Sequence, residues 1–287
     1  MNLYEYDVSN LRIATVLHTE RITPAEDPVE VRHLELEVPD DHFEYLEGQS
    51  IGVLVPGPHE FGEAYYLRLY SIASPRRGEN GKPDTFSICV RRCFSIDDIS
   101  GERHPGLASN YLCNAEAGDP IQIAGPFGSR FHMPENSAAN LVMIGVGTGI
   151  APFRAFMKHI YEERGEWQGQ IRLFYGAKTG MELLYMNAVR KDLSLYYDEE
   201  TFQAFEALSP RPHFDAPPDM EGVLLQNSKE IWELIREPLT YVYLAGLSDV
   251  ARNLQKAMTA AAGSADAWQA EFQKLVQEGR YAELLYE

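Results

Sequence analysis

The chain is short of cysteine, with only Cys89, Cys93 and Cys113 in 287 residues. The number is odd and no paired CxxC spacing occurs, which excludes a disulfide framework and a four-cysteine zinc or iron–sulfur site. A reduced, cytoplasmic protein is the expectation. The eight histidines show no HxxxH or clustered spacing, so no metal site is expected. Positive charge is scarce too: 25 Lys and Arg face 43 Asp and Glu, a formal net charge of −18. That balance argues against a protein that coats nucleic acid or an anionic membrane. No run approaches the roughly 18 apolar residues of a membrane span, so no integral membrane segment is expected. Residues 1–10 carry Glu5 and Asp7 and no basic residue, and are not expected to act as a secretory signal. What is present is enough for a core: 45% hydrophobic and 11% aromatic residues exclude a disordered chain. The length suits about two domains.

The two halves differ in rhythm. Up to about residue 130 the apolar pattern is short and alternating. Leu34, Leu36 and Val38 alternate with Glu35 and Glu37 as in a half-buried strand, and similar runs lie at 49–55, 68–73, 85–91 and 120–124. Turn clusters such as Pro56-Gly57-Pro58 and Gly118-Asp119-Pro120 separate them. Short strands without intervening helices predict an antiparallel barrel or sandwich. From Leu141 to Ile144 the apolar run is continuous, as in a strand covered on both faces. Phe153, Phe156, Met157, Ile160 and Tyr161 then recur at helical spacing. A strand at 171–175, a helix at 182–193, a strand at 202–208, a helix near 231–235, a strand at 240–245 and helices at 250–261 and 267–278 complete the pattern. Alternating strand and helix predicts a parallel sheet with right-handed crossovers. The expected division is 1–135 and 136–287.

Three segments carry chemistry. Gly145-Val146-Gly147-Thr148-Gly149-Ile150-Ala151-Pro152-Phe153 joins a parallel strand to a helix. Its glycines let backbone approach a pyrophosphate at the helix N-terminus. A turn that merely packs helix on strand is the competing explanation. Arg68-Leu69-Tyr70-Ser71 offers a cation for a phosphate, a ring for a flavin and a hydroxyl for a flavin nitrogen. Its competing explanation is an edge strand with a solvated Arg. Ser109-Asn110, at the start of an expected helix, suits either an N-cap or a second pyrophosphate anchor.

With Glu47-Gly48-Gln49-Ser50-Ile51-Gly52, Cys89-Val90-Arg91-Arg92 and Leu244-Ala245-Gly246-Leu247, these segments resemble the plant-type ferredoxin–NADP⁺ reductase family in order and over nearly the whole chain. The resemblance implies an antiparallel Greek-key FAD-binding barrel followed by an α/β, Rossmann-like NADP(H)-binding domain. It implies hydride exchange between NADP(H) and FAD, and single electrons passed to ferredoxin, flavodoxin or a similar carrier. Arg68 would pair with the FAD pyrophosphate, Tyr70 would stack on the isoalloxazine and Ser71 would lie near flavin N5. Cys89, Val90 and Arg91 (or Arg92) would lie toward the adenosine half, and Ser109 with Asn110 would hold the pyrophosphate. Gly147, Thr148, Gly149 and Pro152, with Gly246, are the implied NADP(H) contacts. Tyr286 matches the aromatic residue that covers the second flavin face and moves aside for nicotinamide.

The departures fall at the reacting end and at the 2′-phosphate. Ala245 stands where the family has a cysteine beside the nicotinamide. The chain continues past the aromatic residue to Glu287, and Leu284 replaces a family carboxylate, with Glu283 one position off. Ser209 matches a family serine, but Pro210 follows and Arg211 is displaced by one; the family's downstream lysine and tyrosine are Gly222 and Leu224. A 2′-phosphate needs cationic or multidentate donors, so NADPH is expected to be preferred with relaxed discrimination and NADH accepted. The implied catalytic set is Ser71, Ala245, Tyr286 and Glu287. Two other functions compete: the reductase component of a multicomponent oxygenase system, and an FAD-binding subunit with attenuated catalysis.

Overall fold

The structure is a computed structural model that describes residues 6–39, 43–57, 64–97, 99–128, 131–197, 201–210 and 216–286. The chain divides into two units, residues 1–129 and 130–287.

Period-two alternation builds the first unit from β1 (Leu11–Arg21), β2 (Val31–Glu37), β3 (Ser50–Pro56), β4 (Tyr65–Ser71) and β5 (Thr85–Arg91). A short hairpin, β6 (Phe94–Ile96) and β7 (Arg103–Pro105), leads to helix α1 (Leu107–Cys113) and then β8 (Pro120–Phe127). Apart from the hairpin, these strands form one six-stranded sheet in the order β4-β3-β8-β1-β2-β5. All its pairs are antiparallel. A bridge between Ile72 and Ile88, and the Ala73 N–H donating to the Ser87 carbonyl at 2.7 Å, join the two end strands into a barrel. Closure leaves no long unpaired edge. Val16, Leu34, Leu36, Ile51, Phe86 and Ile88 fill the interior, and Leu112 and Cys113 of α1 close over it. Burial pushes the Cys113 thiol up to about 12, so it is an inert core group. β1 has no counterpart in the expected strands. Its inward residues Ala14 and Val16 are small, while Leu11 and Ile13 lie on the exposed side, which blurs the alternation.

The second unit is a parallel sheet of β9 (Asn140–Val146), β10 (Ile171–Ala177), β11 (Phe202–Leu208), β12 (Thr240–Leu247) and β13 (Tyr281–Tyr286), in the order β11-β10-β9-β12-β13. Helices α2 (Ile150–Lys158), α3 (Met220–Gln226), α4 (Ser228–Ile235), α5 (Asp249–Ala262) and α6 (Ala265–Gln277) lie between the strands in sequence. α2 runs on as a wider π-helical turn, His159–Arg164. Nearly every residue of β9 and β10 is buried, as continuous apolar runs require. The chain leaves β9 toward β10 and β11, then returns to the other side of β9 at β12. The topological switch point therefore lies between β9 and β12, the place where open α/β sheets bind ligands outside the strands' C-terminal ends. The expected fold class, antiparallel barrel then parallel α/β sheet, is the one observed.

The helix expected at 182–193 does not form. Tyr185 takes a left-handed conformation, φ 62°. The Asn187 side-chain carbonyl accepts from the Val189 and Arg190 N–H groups at 3.0 Å each, a local bond that competes with helical pairing. The segment is instead held against α2. Arg154, fully buried, donates through Nε and a terminal nitrogen to the Asp192 carboxylate at 2.6 Å, with its guanidinium 4.9 Å from the Tyr185 ring centroid. β13 also went unforeseen; an exposed edge strand of six residues carries too little alternation to read.

Candidate functional site

In the first unit the β3–β4 pairing sets Val53 opposite Arg68, Ile51 opposite Tyr70 and Ser50 opposite Ser71. Strand alternation puts Arg68 and Tyr70 on one face. Arg68 is exposed and has no ion-pair partner among the described residues. Tyr70 is half-buried against the barrel core, and burial holds its phenol well above its ordinary pKa, with Arg68 partly offsetting this. The Ser71 hydroxyl has no hydrogen-bond partner among the described residues. A free cation, a supported ring and an unpartnered hydroxyl within four residues fit the phosphate, ring and polar edge of a flavin dinucleotide.

Sequence reasoning left out what braces this strand pair. Glu47, buried, accepts from Arg76 through Nε at 3.0 Å, a terminal nitrogen at 2.7 Å and the backbone N–H at 2.6 Å. The Tyr45 hydroxyl donates to the Pro75 carbonyl at 2.6 Å and lies 2.7 Å from Ser74 Oγ. Together they tie the loop after β4 to the approach to β3.

The end of β5 divides its candidates. Val90 points into the core and Cys89 is buried on the other face, so each offers a cofactor only backbone. Arg91 is exposed at the strand end with no ion pair among the described residues. Arg92 is engaged: it donates to Glu30 at 2.7 Å, to the side-chain carbonyls of Asn110 and Asn114 at 3.1 and 2.8 Å, and to the Cys113 carbonyl at 2.9 Å. Arg91 is therefore the cation available there. The Ser109 hydroxyl accepts from the Cys93 N–H at 3.1 Å, and the Asn110 amide donates to the Cys93 and Gly106 carbonyls at 2.8 and 2.9 Å. Those side chains fasten α1 to the chain after β5, so they fit an anchoring role less well than Arg68 and Arg91.

In the second unit, Gly147–Gly149 form a 3₁₀ turn between β9 and α2, at the switch point. Gly147 has φ +57° with open space where a Cβ would stand, a cradle that needs glycine for its backbone and leaves room for a ligand. Gly149 is glycine for another reason: a Cβ there would lie 2.3 Å from the Ala245 carbonyl oxygen. The packing explanation thus holds for Gly149 and the cradle explanation for Gly147. Pro152 sits in the first turn of α2, where its missing N–H costs nothing. The fully buried Tyr175, unforeseen as a site residue, donates its hydroxyl to the Gly147 carbonyl at 2.9 Å and accepts the Leu184 N–H at 3.2 Å. Nothing in the sequence marks it apart from a core tyrosine.

Ala245 and Gly246 end β12, with Ala245 buried and paired to Gly145 and Leu284. Tyr286 ends β13 opposite Leu247, and its hydroxyl lies 3.1 Å from Thr148 Oγ1. Glu283 does not replace the family carboxylate: strand alternation puts it on the opposite face from Leu284, and it accepts from the Tyr281 hydroxyl at 3.0 Å. The Ser209 hydroxyl donates to the Ala216 carbonyl at 2.5 Å, and Leu224, on α3, is buried in the core. Arg211 and Glu287 lie outside the described residues.

Residues 143–256 match the oxidoreductase NAD-binding domain family. Over 276 residues the chain is 36% identical to a ferredoxin–NADP reductase of Spirulina sp., covering 94% of this chain and 92% of that protein. The chain belongs to the ferredoxin–NADP reductase family. A chloroplastic leaf isozyme of that reductase from Oryza sativa subsp. indica is 33% identical over 273 residues, 93% of this chain and 74% of that one. The ferredoxin–NADP⁺ reductase of Plasmodium falciparum shares the fold, with a TM-score of 0.75 at 21% identity over 98% of both chains. No helix among the described residues is long and apolar enough to cross a membrane.

Proposed function

We propose that this member of the family exchanges hydride between NADP(H) and FAD, and single electrons with a ferredoxin. The Gly147 cradle at the switch point, beside the end of β12, carries the reading. FAD, when bound, supplies the conversion between a two-electron nicotinamide and a one-electron carrier. The chain's part is to hold and orient: Arg68 and Arg91 for the diphosphate and adenosine end, Tyr70 for the ring, Ser71 for its polar edge, and the Gly147–Gly149 turn with the start of α2 for the nicotinamide dinucleotide. Three cysteines outside any disulfide suit the cytoplasm or another reducing compartment. Adding NADPH anaerobically to the purified protein should bleach the flavin absorbance, and oxidised ferredoxin should restore it. Absence of bleaching would favour the FAD-binding subunit with attenuated catalysis, which Ala245 motivates. Flavodoxin and an oxygenase are further acceptors to place in the same assay; with three cysteines, an oxygenase would need a separate iron–sulfur carrier.

The 2′-phosphate site is thin among the described residues, because Ser209 is engaged with backbone. A single charge-assisted contact to a 2′-phosphate, the part expected of Arg211 from the sequence, would discriminate roughly tenfold to a hundredfold. The kcat/KM ratio of NADPH to NADH is expected in that range, and a preference for NADH would remove Arg211 from the site.

The basic stretch 68–92 holds six Lys and Arg against Glu79 and Asp84, but Arg76, Lys82 and Arg92 pair with Glu47, Glu37 and Glu30. With Arg68 and Arg91 assigned to FAD, Arg77 is the exposed cation left for an acidic carrier. Arg77→Glu should slow ferredoxin reduction at low salt and flatten its salt dependence. An unchanged salt profile would mean that docking does not use this stretch.

A further inference from the structure

The C-terminal ends of β10 and β11 meet around one peptide, Leu208–Ser209. Its N–H, on Ser209, donates to the carbonyl of Lys178, just past β10, at 3.3 Å. Its carbonyl, on Leu208, accepts from the Asp219 N–H at 3.2 Å. A trans peptide points these two groups in opposite directions, so Lys178 and Asp219 flank the start of the segment that the resemblance assigns to the 2′-phosphate. Asp219 is exposed and caps α3, its carboxylate accepting the Gly222 N–H at 2.9 Å. A glycine inside a helix is unfavourable, but here the carboxylate requires it: a Cβ at position 222 would collide with both Asp219 oxygens. Gly222 also stands where the family carries a lysine for the 2′-phosphate. In place of that cation this chain seats an anion. The next carboxylate, Glu221, is neutralised by Lys256 at 2.7 Å, whereas Asp219 has no ion pair among the described residues.

We propose that Asp219 is a specificity-determining residue whose unpaired carboxylate repels the 2′-phosphate of NADP(H) and so opens the site to NAD(H). The proposal rests on the reading of the second unit as the nicotinamide dinucleotide site. A carboxylate beyond the end of a parallel strand is how dinucleotide-binding folds favour a free ribose 2′-hydroxyl, since it accepts from the hydroxyl and opposes a phosphate. Lys178, exposed on the other flank, attracts the same phosphate. The preference between the two dinucleotides is therefore a difference between opposed charges, and Asp219 sets the side that lowers it.

The test is calorimetric titration of the FAD-loaded chain with 2′-phospho-AMP, the adenosine end of NADP(H), and with 5′-AMP, which lacks only the 2′-phosphate. Asp219→Asn removes the charge and keeps the cap, because Asn caps a helix about as well as Asp. It should tighten 2′-phospho-AMP about threefold to tenfold in dilute buffer, the effect of one exposed charge on a nearby dianion. NADP⁺ should tighten in step, while 5′-AMP and NAD⁺ should bind no more tightly than before. The gain should fade as salt is raised, which a change in packing would not do. Equal tightening of 5′-AMP, a gain that survives high salt, or no gain at all would each overturn the role of Asp219. If the unaltered protein binds either nucleotide while Asp219→Asn changes nothing, the dinucleotide reading stands and only the Asp219 assignment falls. If it binds neither, both fall.

Discussion

Ser71→Ala is expected to slow flavin reduction by NADPH about a hundredfold while FAD stays bound. The hydroxyl has no hydrogen-bond partner among the described residues, so its loss leaves no internal group unsatisfied. The strand pairing of Ser71 with Ser50 is made by backbone and survives the change. Arg68 and Tyr70, which would carry most of the hold on the flavin, are untouched. What disappears is a polar group beside the reacting edge of the ring, and a group placed there for proton or hydride chemistry contributes on the order of 10²–10⁴ in rate. Anaerobic stopped-flow reduction at saturating NADPH reads the rate, and the visible absorbance of the purified protein reads FAD content. Ser71→Thr, which restores the hydroxyl, should recover most of the rate. Full speed in Ser71→Ala would remove the residue from the mechanism, and loss of FAD would make its role structural.

The parts of this protein that were legible in sequence are those where one periodicity acts alone. Leu34, Leu36 and Val38 alternate cleanly because one side of β2 faces a core and the other does not. Leu141 to Ile144 run without interruption because β9 is covered on both faces. The glycine turn stood out because strand, turn and helix meet within nine residues. What stayed hidden depends on long-range partners. β1 packs small residues inward against β2 and β8, so its pattern is set by neighbours distant in sequence. In sequence Arg92 is indistinguishable from Arg91, and Glu30, 62 positions away, holds it. Ser109 and Asn110 read as either an N-cap or ligand anchors; their polar atoms bond backbone around Cys93 and Gly106. Tyr175 resembles any core tyrosine until its hydroxyl is placed on the Gly147 carbonyl. The segment 182–193 has helical spacing, and a buried arginine in another element decides its conformation.

That arginine sets the second large expectation. Asp192→Ala should destabilise the second unit by about 3–5 kcal/mol, because it strips a fully buried guanidinium of the carboxylate that two of its nitrogens share. Arg190 pairs with the same carboxylate and lies 5.7 Å from the same Tyr185 ring, so two cations lose their common counter-ion. The effect should not stop at stability. Tyr185 accepts the Leu193 N–H through its carbonyl at 3.0 Å, and the neighbouring Leu184 N–H donates to the Tyr175 hydroxyl that holds Gly147. Loosening residues 184–193 thus frees the far end of the hydrogen-bond chain that fixes the turn. Urea unfolding followed by a probe in the second unit should show a lower midpoint, and the affinity for 2′-phospho-AMP should fall in the folded protein. Replacing both partners by apolar residues of similar size, Arg154→Met with Asp192→Leu, should recover much of the stability, since a buried ion pair adds little over well-packed carbon. It should not restore nucleotide affinity, because the carboxylate that also held Arg190, and with it the loop's register on Tyr175, is still missing. Recovery of both together would mean that the pair acts only through packing.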